Sequence, residues 1–136
     1  LRAIGLPVEY VKFKLVDEYL YRNLKTGVQF LAVNSQKRRA RQRFSTAHGL
    51  GHYFLHPKMG GALSVGRRKS YADRQADAFA EELLMPEHRF RKFFEGFSFL
   101  GYRDLIGYLA VAFEVSKQAV RVRIDHLRLF NGRREK

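Results

Sequence analysis

The sequence predicts an α+β fold in which a small antiparallel sheet is followed by helices. Three observations lead there. Apolar and basic residues alternate in "VKFKL", residues 11–15, and "VQFLAVN", 28–34, is rich in β-branched and aromatic residues, as expected of strands with a buried face. From Phe44 the apolar residues instead recur with helical spacing, and Pro57 and Pro86 stand where two such helices must stop. The 136 residues suit one domain, 1–136, able to bury roughly two thirds of its unfolded surface.

Taken in order, residues 1–34 hold two or three antiparallel strands, with "NLKTG" supplying the turn before the second of the two named above. "SQKRRARQR", 35–43, has five basic residues in nine and reads as a solvated loop. A helix over 43–56 follows, then "KMGGALSVGRRKS", a Gly-rich and mobile connection. The next helix spans 71–85 and gathers Ala76, Phe79, Ala80 and Leu83 on one apolar face. "EHRFRKFFEGFSFL" is helical, and 101–130 form two further helices joined by a short turn, with Ser116 as the N-cap of the last. The final "NGRREK" is polar and frayed. There is no internal repeat and no low-complexity segment.

Composition narrows the function classes. Hydrophobic residues make up 46% and aromatics 14%, enough for a packed core and too much for a disordered chain. The absence of cysteine excludes disulfides, thiolate-bound zinc and a thiol nucleophile, so histidines and carboxylates are the available metal ligands and the cytoplasm is the expected compartment. No apolar run approaches a bilayer span and the first residues do not resemble a signal peptide, so no membrane partner is expected. The chain lacks an initial Met, as an excerpt or a processed chain would. The net charge of +13 suits nucleic acid or acidic partners, but the charge is spread over the sequence rather than gathered in one basic arm.

The chemistry concentrates in "RFSTAHGLGHYFLHP", 43–57. On a helix, His48 and His52 point the same way one turn apart and can both reach one ion. Catalytic zinc takes three protein ligands and keeps a fourth position for water, so another donor must come from elsewhere. The next helix offers Asp73 and Asp77. Asp73 lies nearer that helix's core-facing side and is the better candidate, although a carboxylate in a first helical turn is also favoured by the helix dipole alone. His56 continues the stripe but can equally serve the carbonyls at the helix end. His88 and His126 have no acidic partner at ligand spacing and read as surface residues. Two histidines and a carboxylate suit zinc, and nickel, cobalt or copper would also bind them.

The order strand, basic segment, "RFSTAHGLGHYFLH", loop, "DRQADAFAEELLMP" resembles the ImmA/IrrE family of zinc metallopeptidases. In that family an "RFTxAHELGHxxLH"-like helix is followed by an "ExxAxxFAxxLLMP"-like helix. The likeness runs from about Pro7 to Leu129, and "LAVAFEVSKQAV" is similar to the helical segment that follows the metal-site helices there. The resemblance implies a zincin-like arrangement in which His48 and His52 are zinc ligands and Asp73 takes the third position, normally a glutamate. It places Gly49 where the family carries its catalytic glutamate.

A glycine cannot accept a proton from water, and general acid–base catalysis is worth roughly 10² to 10⁴ in rate, so hydrolysis should be impaired or absent. Glu81 and Glu82 are not placed to replace the base. Gly49 and Gly51 also put two glycines in one helix at about 1 kcal/mol each relative to Ala, with no compensation visible in the sequence. The resemblance further implies cytoplasmic regulation, since family members cleave or antagonise helix-turn-helix transcriptional repressors. A protein partner could add its extended segment to an exposed strand, with 28–34 the candidate.

A second reading makes the chain a DNA- or repressor-binding module without enzymatic activity. "DLIGYLAVAFEVSKQAVRVRIDHL" has a helix, turn, helix pattern, and Lys117, Gln118, Arg121 and Arg123 would lie on or near the start of its recognition helix. Against this, Val115, Val120, Ile124, Leu127 and Phe130 need burial, and packing alone accounts for both helices.

Overall fold

The structure, a computed structural model, describes residues 4–64 and 70–130. Of the Gly-rich connection expected over 58–70, only 65–69 lie outside the described residues, and its residues 61–64 form a strand instead of loop; "NGRREK" lies wholly outside the described residues. Among the described residues, four strands and five helices follow in the order β1 (Val8–Val11), β2 (Glu18–Arg22), β3 (Gln29–Asn34), α1 (Arg39–Leu55), β4 (Gly61–Ser64), α2 (Tyr71–Leu84), α3 (Glu87–Gly96), α4 (Tyr102–Phe113) and α5 (Lys117–Leu127). The α+β class is as expected. The chain divides into two compact units, Leu1–Ala80 and Glu81–Lys136, with the boundary inside α2.

The sheet is mixed rather than antiparallel, in the order β1-β3-β2-β4. β1 runs parallel to β3, while β2 pairs antiparallel with both β3 and β4. "VKFKL" is therefore mostly not a strand. Its residues belong to the arch that carries the chain from β1 over the end of β3 into β2. Asn34, 1% exposed at that end, ties the arch down: its amide donates to the carbonyls of Phe13 (3.1 Å) and Val16 (2.9 Å). The side chain thus satisfies backbone groups that no ladder reaches. At the other end "NLKTG" turns as expected, with the Asn23 side chain accepting from the amides of Lys25 and Thr26 and Gly27 at φ +77°.

β2, a strand that the sequence analysis does not name, alternates strictly. Glu18, Leu20 and Arg22 point inward and Tyr19 and Tyr21 are half-exposed. The Arg22 guanidinium caps the C-terminal end of α1, donating to the carbonyls of Tyr53 (3.2 Å), His56 (2.6 Å) and Met59 (3.1 Å). A buried cation there meets the negative end of the helix dipole. α1 itself starts at Arg39, inside the basic segment expected to be loop, because Arg, Ala and Gln are good helix formers and their charges face solvent. Asp17 receives Arg41 (2.5 Å) and Lys37 (3.6 Å) near that start.

The first unit's core is Leu6, Leu20, Leu31, Val33 and Leu50, flanked by Tyr53, Leu63 and Phe79. On α2 the buried stripe is Asp73, Ala76 and Ala80, whereas Leu83, expected on the apolar face, is 50% exposed. The second unit packs Met85, Phe90, Leu105, Ile106, Leu109, Phe113, Val120 and Ile124 into one apolar core. Between α4 and α5 the chain turns through Glu114 at φ 54°, and the Ser116 hydroxyl accepts from the Ala119 amide (3.0 Å), the N-cap that its sequence position predicts.

Candidate metal centre

α1 stacks His48 and His52 one turn apart on its buried face, at 1% and 2% exposure. α2 brings Asp73 to them. That approach depends on Gly51, because a Cβ at this position would lie 2.8 Å from Ala76 Cα and 3.0 Å from its carbonyl oxygen. The two helices touch backbone to backbone, and an aspartate, shorter by one methylene than a glutamate, spans the gap.

The donor atoms form a tight triangle. His48 Nε2 and His52 Nε2 are 3.1 Å apart, His52 Nε2 and Asp73 Oδ1 3.1 Å, and His48 Nε2 and Asp73 Oδ1 3.6 Å. Zinc–ligand bonds of roughly 2.0–2.2 Å set tetrahedral donors about 3.3 Å apart, so the triangle has the size of one face of a zinc site. The same three residues form the metal-capable group found among the described residues. The chemistry of the set fits a divalent ion, two imidazole nitrogens and one carboxylate oxygen converging on a single buried point.

Each donor is held from behind. The His48 Nδ1–H donates to Asp77 Oδ1 (2.8 Å), which leaves the Nε2 lone pair for the ion. His52 Nδ1 meets His56 Nδ1 (3.0 Å), and His56 Nε2 meets Gln75 Oε1 (2.8 Å), so His56 orients the pair instead of joining it. Asp73 divides its carboxylate between two tasks. Its Oδ2 accepts from the Ser70 amide (3.1 Å) and hydroxyl (3.0 Å), and Ser70 Oγ accepts from the Asp73 amide (3.0 Å). That is a reciprocal cap at the start of α2, and it aims Oδ1 at the histidines.

The protonation states follow from these contacts. Burial, then the neighbouring His48, pushes His52 down to about 4, so its ring is neutral at neutral pH. Burial also works against a charged His48, but the hydrogen bond to Asp77 and the charges of Glu18, Asp77 and Asp73 outweigh it and raise its pKa. Burial opposes the charge on Asp73 as well. The Ser70 hydrogen bonds and His52 overcome that cost and hold the carboxyl below its ordinary value.

One polar residue here was not foreseen. Glu18, from β2, is 2% exposed, and its Oε2 lies 3.9 Å from His48 Nε2 with no hydrogen-bond partner among the described residues. Burial raises its pKa, partly offset by His48 and by a hydrogen bond from Ser45. Its one sequence signal was an acidic residue in phase with Leu20 on a strand of alternating pattern. Gly49 also has a packing reason that the sequence did not reveal: a Cβ there would lie 2.3 Å from Leu31 Cδ1.

The remaining candidates sit apart from the triangle. Lys117, Gln118 and Arg121 are exposed on α5, as a contact surface requires. Arg123 is not. It is 6% exposed, and its guanidinium donates to the Met85 carbonyl (3.0 Å) and to Glu82 Oε2 (2.5 Å), so it holds the second unit's core together instead of facing solvent. His88 is exposed as expected, while the exposed His126 does have an acidic partner, Glu81 Oε1 at 2.9 Å. β3 cannot accept an added strand, since β1 and β2 flank it. The edges of the sheet are β1 and β4. Among the described residues no helix is long and apolar enough to cross a membrane.

Two histidines one turn apart on a helix, completed by a carboxylate from the next, are the donor set of a metallopeptidase. The sequence model of the family described as the IrrE N-terminal-like domain matches residues 1–125, and the chain belongs to that metallopeptidase family. No curated protein matches the sequence.

Proposed function

We propose that this chain is a zinc-dependent, metallopeptidase-like regulatory domain of the cytoplasm that engages a protein in extended conformation. The observation that carries the reading is the buried triangle of His48 Nε2, His52 Nε2 and Asp73 Oδ1, with separations of 3.1–3.6 Å. These three residues would hold the ion, which when bound supplies Lewis-acid polarisation of a carbonyl and lowers the pKa of water. Asp77 keeps His48 in the ligating tautomer and Ser70 keeps Asp73 in place. The partner class, a helix-turn-helix transcriptional repressor, is what membership of the family suggests. β1 and β4 are the candidate docking edges, because among the described residues each pairs with one strand alone and so has a second side for an incoming strand.

Hydrolysis cannot draw on α1 for its base, since the residue after His48 is Gly49. Leu31 fills the space beside that glycine, so α1 has neither the carboxylate nor room for one without repacking β3.

Metal content of the purified protein tests the reading. One zinc per chain is expected, lost in His48→Ala. Protein that carries no metal and takes up none when zinc is supplied would end it.

A further inference from the structure

The first unit contains a buried carboxylate that the ligand triangle does not use. Between residues 19 and 72 the chain has no Asp or Glu. Within the first unit, a carboxylate that reaches the metal face of α1 must therefore come from α2, which supplies Asp73 and Asp77, or from the residues before 19. Glu18 opens β2, and the β2–β3 register sets it opposite Val33 with Leu20 opposite Leu31. Glu18, Leu20, Leu31 and Val33 are all buried. Residues two apart on a strand share a face, so the carboxylate lies on the same side of the sheet as Leu31, whose methyl group occupies the place of a side chain at 49.

The position of the carboxylate is specific. Glu18 hydrogen-bonds Ser45, one helical turn before Gly49, and its Oε2 lies 3.9 Å from His48 Nε2. That separation exceeds each of the 3.1–3.6 Å spacings within the triangle, so Glu18 stands one layer outside the ligands. A buried carboxylate oxygen without a donor is costly and needs a partner that the described residues do not supply. Water or a substrate group held beside the ion would be that partner.

We propose that Glu18 is the catalytic carboxylate of this site, presented from β2 in place of one on α1. The inference rests on the metal site of the preceding reading. In hydrolysis, water's oxygen bonds to the peptide carbonyl carbon while one water proton passes to Glu18 Oε2. The C–N bond then breaks as that proton passes to the departing nitrogen, leaving a carboxyl and an amine. Asp73 and Asp77 cannot take the role, because Asp73 is committed to the histidines and Ser70, and Asp77 to His48 Nδ1.

The test uses the whole chain loaded with Co²⁺, with acetohydroxamic acid as probe. This probe coordinates only a metal with an open position, and it gives up its O–H proton to a neighbouring base when it binds. Glu18→Gln keeps shape and removes the acceptor. It is expected to leave Co²⁺ affinity within about threefold, since only an outer contact is altered, and to weaken the hydroxamate at least about tenfold. Should that variant fail to fold, Glu18→Asp carries the same comparison, because it retracts the carboxylate but keeps the charge.

A fall of about 10- to 100-fold in Co²⁺ affinity with hydroxamate binding unimpaired would make Glu18 a support for the metal ligands instead of the catalytic carboxylate and overturn the proposal. No change in either affinity would leave it a structural residue and overturn it equally. Unaltered protein that binds no Co²⁺ would end the metal-site reading itself, a different result from either.

Discussion

The two units treat buried charge in opposite ways. In the second, Arg123 and Glu81 are buried 3.7 Å apart, Arg123 also meets Glu82 and the Met85 carbonyl, and Glu81 meets His126. Donors and acceptors are matched within the chain. In the first, Glu18, His48, His52 and Asp73 are all at or below 5% exposure, three of their donor atoms converge on one point, and the Glu18 Oε2 has no donor among the described residues. Burial of such groups is unfavourable unless something completes them. The second unit's charges are complete on folding, whereas the first unit's describe a ligand.

The largest effect expected from this contrast is metal linkage. An ion that binds only the folded state stabilises it by about 4 kcal/mol when free metal stands 1,000-fold above its Kd. Zinc should therefore raise the unfolding midpoint by several degrees and slow amide exchange most in α1 and in the first turns of α2. His52→Ala should abolish both changes. Equal protection of α4 and α5 would mean that the ion does not act through the triangle, and the contrast between the units would fail.

Glycines sharpen the comparison at lower cost. Gly51 and Gly107 are both helical, but an added Cβ meets the Ala76 backbone at 2.8 Å in the first case and nothing within 4 Å in the second. Gly107→Ala should stabilise by about 0.5–1 kcal/mol, the ordinary helix propensity gain. Gly51→Ala should lose about 1–3 kcal/mol through overpacking, and zinc affinity with it, because α2 must retreat and take Asp73 along. Denaturant midpoints and zinc titration of both variants check this. Unchanged zinc affinity in Gly51→Ala would show that the close helix contact does not set the reach of Asp73.

How much of this was legible follows from how local each feature is. His48 and His52 are set by helical spacing alone, and Asp73 by the phase of the next helix, so the triangle could be read from the chain. Ser116 as a cap is equally local. Glu18 could not be read, because its place depends on a register fixed by the 23–28 turn and on the arch pinned by Asn34. "VKFKL" alternates as a strand would, yet Asn34 claims its backbone for the arch. β4 lies in a Gly-rich stretch with little strand character and forms because β2 offers it an edge. The glycines looked like defects until their neighbours, Leu31 and Ala76, were in place. Arg123 looked like a surface cation because of its charge and its nearness to Arg121 in sequence, although helical phase sets it with Val120 and Ile124 on the buried stripe, where Glu82 and the Met85 carbonyl meet it.

The smallest expected effect is electrostatic and belongs to the second unit. Its bond to Arg123 and the amide of Glu87 hold Glu82 below the ordinary glutamate value of 4.5, against the opposing effect of burial. A carboxyl depressed by folding contributes stability above its unfolded pKa, because the folded state then favours the charged form, and that contribution is lost as pH falls through the lower folded value. Glu82→Gln should therefore lower the unfolding midpoint slightly at pH 7, with the difference shrinking below about pH 4.5 and vanishing in more acid solution. The Glu82 side chain is 60% exposed, so solvent screens the pair and the shift should be small and salt-sensitive. A difference between the two proteins that persists unchanged at pH 3 would show that the Glu82 side chain acts through packing and not through its charge.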